Sequence, residues 1–136
     1  MKLPPVSKFA GITLLLLVLV SAARGQSWAG EYTDKKFLNG GAVFQLTIEQ
    51  QGQDIQVSFD AAYNDGRGCS PEAQGMANPN RGRLQFTFQD SSGNIGIGTI
   101  TREGSDLLLS LKPTRVVVKD CIVFYRDNIR LKRVGK

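Results

Sequence analysis

The chain has 136 residues, with 17 Lys and Arg, 12 Asp and Glu, two Cys and no His. That length suits one domain around one core. Without histidine there can be no Ser-His-Asp triad, no Cys-His dyad and no histidine metal site, so no catalytic residue, metal ligand or cofactor is expected.

Residues 1–25 have the pattern of a cleaved secretory signal. Lys2 and Lys8 precede an apolar run from Gly11 to Val20, and Ala23-Arg24-Gly25 places small residues before a cut at Gln26. The run is about a dozen residues, short of the roughly 20 that a spanning helix needs. The expected mature domain is 26–136, exported to the periplasm or the extracellular space, with no membrane span. Losing Lys2, Lys8 and Arg24 but no acidic residue lowers the net charge from +5 to +2.

The mature chain then reads as short strands divided by turn residues. The first is 26–34, which holds the sole tryptophan, Trp28. In 42–49, Phe44, Leu46 and Ile48 alternate with Gln45, Thr47 and Glu49. In 54–62, Ile55, Val57 and Phe59 alternate with Gln56, Ser58 and Asp60. Such alternation gives a strand one buried and one wet face. The stretch 63–82 breaks the pattern with four Gly, two Pro and three Asn. It reads as a long loop of the kind that often carries function, or as a further strand at 72–77 between two turns.

Alternation resumes in 83–89 with Leu84, Phe86 and Phe88. Strands follow at 94–102 and 106–111, and a long run closes the chain at 116–134, with a break expected near Asp127-Asn128. Glycines 96 and 98 share one strand face, which implies close packing under a bulky neighbour. Gly93–Gly98 is no phosphate loop, since no helix follows it. Two- to four-residue turns between such strands argue antiparallel hairpins in a meander. Seven or eight strands in this length fit an all-β fold: an up-and-down barrel of about eight strands, or alternatively a small sandwich.

Cys69 and Cys121 are an even pair in a chain expected to be exported, which reads as one disulfide. It closes a loop of about 53 residues, for which loop entropy gives about 4 kcal/mol. A catalytic cysteine would need a histidine to activate it. Eight basic residues fall between Lys112 and Lys136 against two acidic ones, Asp120 and Asp127. That excess reads first as a charged strand edge. A nucleic-acid groove would also need exposed stacking rings, and Phe124 and Tyr125 belong in part to the core, so nucleic acid is not the expected partner.

Trp28-x-Gly30-x-Tyr32 at the head of a meander resembles the first-strand signature of the calycin superfamily, the lipocalins and fatty-acid-binding proteins. The resemblance implies a small β-barrel whose end is plugged by Trp28, Gly30 and Tyr32. It also implies a basic residue of the last strand packed over the tryptophan, with Arg126, Arg130 and Arg133 as candidates and Arg130 the one taken. A guanidinium stacks well on an indole face. The inward set, from Phe44 to Phe124, is bulky, and an eight-stranded barrel is just wide enough to be filled by side chains. Two functions are therefore expected. One is a non-enzymatic binding barrel for a small or lipid-like ligand. The alternative is a protein-binding barrel, of inhibitor or immunity type, acting through the 63–82 loop with Asp65, Arg67, Glu72 and Arg81. A carboxylate-based enzyme would need a paired-acid signature that no spacing here supplies.

Overall fold

Each alternating run forms a strand, because only one of its faces can be withdrawn from water. The computed structural model describes residues 27–135; the signal reading lies outside them. The order is β1 (Gly30–Phe37), β2 (Ala42–Gln51), β3 (Asp54–Tyr63), β4 (Glu72–Asn80), β5 (Arg83–Gln89), β6 (Ile95–Glu103), β7 (Asp106–Arg115), a 3₁₀ helix (Lys119–Phe124) and β8 (Ile129–Arg133). Each strand pairs antiparallel with the next, and β8 returns to β1 through Tyr32↔Arg133 and Thr33↔Lys132. The result is a closed eight-stranded up-and-down barrel, which leaves no free sheet edge. The sandwich alternative is thereby excluded.

The interior is filled. Phe44, Leu84, Ile100, Leu109, Phe124 and Leu131 have no exposed area at all. A water-sized void beside any of them would leave some. Aromatic rings run in contact through the core from Phe37 to Phe44, Phe59, Phe88 and Tyr125, with centroids 5.2–5.5 Å apart. β6 offers only backbone where the largest rings lie. A Cβ on Gly98 would come within 2.2 Å of the Phe86 ring, and one on Gly96 within 2.6 Å of Phe88. The two glycines are therefore the seat of two phenylalanines.

Two stretches differ from the sequence reading. The first is 63–82, where the long-loop reading fails over Glu72–Asn80: the alternative of a further strand, expected at 72–77, holds and runs on to Asn80 as β4. Its inward residues are Ala73, Gly75 and Ala77, too small to mark an apolar face. At Gly75 there is no room for a side chain: a Cβ there would stand 2.4 Å from the Thr87 carbonyl oxygen of β5. The second is 116–134. Only Ile129–Arg133 is strand, and the 3₁₀ helix takes up Lys119–Phe124. With three residues per turn, positions three apart share a face, and Cys121 and Phe124 point inward together.

The meander sorts its connections by end. One end has the two-residue turns 52–53, 81–82 and 104–105 and both ends of the described chain. The other has 38–41, 64–71, 90–94 and 116–128.

Candidate functional site

Trp28 closes the end with the short turns. It is buried, and the guanidinium of Arg102 lies over its ring, 3.8 Å from the centroid. Trp28 N donates to Gln50 Oε1 at 2.8 Å, and Arg102 Nη2 donates to the Ser27 carbonyl at 3.5 Å. Tyr32 Oη donates to the Trp28 carbonyl and receives Arg133 Nη1 at 3.1 Å. Gly30 makes room for that arginine, since a Cβ there would lie 3.2 Å from Arg133 Cζ. The stacking arginine thus comes from β6, whereas the last strand was expected to supply it. Arg130 instead reaches Glu103 at 3.9 Å and Asp106 at 3.5 Å on the outer wall.

The opposite end is built differently. Cys69 and Cys121 are bonded, with Cα atoms 5.2 Å apart, which ties the 64–71 loop to the 3₁₀ helix. Beneath the bridge lies the 90–94 turn, which carries the buried polar residues Asp90 and Asn94. Asp90 Oδ1 accepts the N–H groups of Ser92 and Asn94 at 2.8 and 2.9 Å, an Asx-type turn. Its Oδ2 accepts Asn94 Nδ2 at 3.0 Å and also the Tyr125 hydroxyl. Burial, and after it the Asp90 carboxylate, push the Tyr125 hydroxyl well above the usual phenol range. Asn94 Oδ1 accepts two backbone N–H groups of the next connection, Val117 at 2.6 Å and Val118 at 3.0 Å. Asn94 therefore joins the turn to the segment that crosses it. No buried side-chain nitrogen or oxygen among the described residues is left without a partner.

The 64–71 loop is held as firmly. Asn64 Nδ2 donates to the Gly40 carbonyl at 2.7 Å, Arg67 N donates to Asp65 Oδ1 at 3.0 Å, and the Tyr63 ring packs edge-on against Phe124. Asp65 and Arg67 lie exposed on this loop, 3.8 Å apart. Glu72 opens β4 at the same end, its N–H donating to Ser91 Oγ. Arg81 does not belong with them. It is the first residue of the β4–β5 hairpin turn, with φ at 55°, at the opposite end of the barrel. The expected four-residue binding loop is thus split by β4.

An open polar groove of about 540 Å³ runs from this end along the outer wall, between Gln45, Ser58, Asp60, Glu72 and Gln89. Asp60 and Glu72 are cross-strand partners. Partial burial, and then the negative charge of Glu72, raise the Asp60 carboxyl above its ordinary range. Two smaller clefts, of about 240 and 160 Å³, also open on the outside, one beside Glu31 and Thr33 and one beside Gln56 and Met76. Among the described residues no cluster of three His, Cys, Asp or Glu could hold a metal ion, and no helix is long and apolar enough to cross a membrane. Phe124 and Tyr125 are both buried, so neither ring is offered to a base.

Sequence reasoning missed Asp90, Asn94 and Arg102. Asp-x-x-x-Asn around Ser-Ser-Gly is a turn signature, but nothing local says that it will be covered. Arg102 had a usable signal: it precedes the Gly104 turn, which the meander places at the end where Trp28 lies.

The fold and the site define a closed, filled, disulfide-tied β-barrel. No protein-family model matches the chain, and neither a curated protein nor a solved structure matches it.

Proposed function

We propose that this is an exported, non-enzymatic protein-binding barrel that engages its partner through the disulfide-tied end. The observation that carries the reading is the filled interior: recognition is left to the loops and the outer wall. The 64–71 loop, held by the disulfide and by Asn64, presents Arg67 and Asp65 with little conformational freedom left to lose. Pre-ordering of that kind lowers the entropic cost of binding. The groove beginning at Glu72 continues the surface with hydrogen-bonding side chains. The absence of histidine supports a non-enzymatic role, and the disulfide supports export to an oxidising compartment. Kinship with the calycins is part of the proposal; the closed eight-stranded meander supports it, while the arginine over Trp28 comes from β6 and not from the last strand that the resemblance implies.

Native mass spectrometry of the protein recovered after export tests the reading. The expected result is a complex with a second protein that is weakened by Arg67→Glu. A barrel carrying a bound small molecule, with no protein partner, would return the weight to a ligand at the barrel mouth.

A further inference from the structure

Seven large hydrophobic residues are exposed among the described residues, and four of them lie in one connection: Val116 (39%), Val117 (57%), Val118 (37%) and Ile122 (45%). Single exposed hydrophobic residues are ordinary, whereas a contiguous group marks a contact surface. The exposure does not come from a loose loop. The Val117 and Val118 N–H groups are fixed on buried Asn94, and Cys121 is bridged to Cys69. Cys121 and Phe124 turn inward on the 3₁₀ helix, which leaves Lys119 and Ile122, three apart, on its outer face. Basic residues bracket the apolar group: Arg115 directly before it, Lys119 within it and Lys112 on the adjoining wall beside exposed Ile97. Asp120 is the one acid in the segment 112–126.

We infer that this segment seats the barrel on an anionic phospholipid surface. What points to a lipid surface is the charge around the apolar side chains: Lys112, Arg115 and Lys119 are all exposed beside them. Exposed apolar side chains with long basic side chains around them match the bilayer interface. The valines and Ile122 enter the boundary layer, while Lys112, Arg115 and Lys119 extend to the headgroup phosphates. Each basic group near an anionic membrane is worth about fivefold in affinity. The proposal goes beyond the protein-binding reading and does not depend on it, because its test contains no second protein.

The test is cosedimentation of the protein recovered after export, disulfide intact, with vesicles of phosphatidylcholine alone or mixed equally with phosphatidylglycerol. Binding is expected to the mixed vesicles, to weaken with salt and to be slight on phosphatidylcholine alone. Val117→Asp is expected to lose at least tenfold, and Arg115→Glu with Lys119→Glu more, all with unchanged melting curves because the sites are exposed. Arg81→Glu makes the same kind of charge change at the far end and is expected to keep full binding to within twofold. No binding to the mixed vesicles would overturn the inference. So would equal loss in Arg81→Glu, which would mean that net charge alone acts.

Discussion

The barrel is closed twice, by two different chemistries. At one end three two-residue turns and a single tryptophan suffice, with Arg102 laid over the indole and Arg133 bonded to Tyr32. At the other, three longer connections are bound together by a disulfide and a buried Asp90–Asn94–Tyr125 network, and Asn64 ties the fourth, 38–41, to them. The first arrangement does no more than close a barrel. The second holds far more chain than closure requires, and it holds exposed residues, Arg67 and Val117 among them, in fixed positions. The proposed partner-binding role rests on that surplus structure together with the groove on the outer wall.

The largest effect should come from the disulfide. Reduction frees a long loop in the unfolded chain, worth about 4 kcal/mol, and should lower the melting temperature by roughly 15–30 °C. An unchanged melting curve would remove the bridge from the comparison. Next is Asn94→Ala, which strips a fully buried side chain from two backbone N–H groups and from Asp90. A loss of about 3 kcal/mol is expected in denaturant unfolding, because the groups left behind are buried and unpaired. Arg102→Ala, the matching deletion at the plain end, should cost only about 1 kcal/mol, with a red shift of Trp28 emission. Equal costs for the two deletions would erase the distinction between the ends.

The smallest effect concerns Asp60. Its carboxyl is raised in the fold, so the folded chain binds that proton more tightly than the unfolded chain does. Stability is then lost as pH rises from the ordinary carboxylate value through the raised one. Asp60→Asn should therefore melt slightly higher than the parent at pH 7, with the difference vanishing at acidic pH. A gain that persists at low pH would show that charge is not its source.

Strand after strand was legible in the sequence because alternation reports directly on burial: Phe44, Leu46 and Ile48 could only face inward together. The seats for Phe86 and Phe88 were legible as well, in glycines two residues apart. β4 was legible only as an alternative to a loop, because its inward residues are alanine and glycine and mark no apolar face; at Gly75 the Thr87 carbonyl of β5 leaves no room for a side chain. The pairing of Cys69 with Cys121 followed from counting. What covers Asp90 and Asn94 did not, because burial there is created by the chain some 25 residues later, when 116–128 folds back over the turn. Local sequence reports on the faces of strands, and tertiary contact decides which turns become core.

Amide hydrogen exchange at Val117 and Val118 tests most directly whether the tied end is a fixed platform. Both N–H groups are bonded to a side chain with no exposure, beneath side chains that face solvent. The account predicts that the two amides exchange nearly as slowly as those of the barrel strands, opening only with global unfolding. Exchange at the rate of an unstructured chain would contradict it, because the exposed valines would then belong to a loose loop.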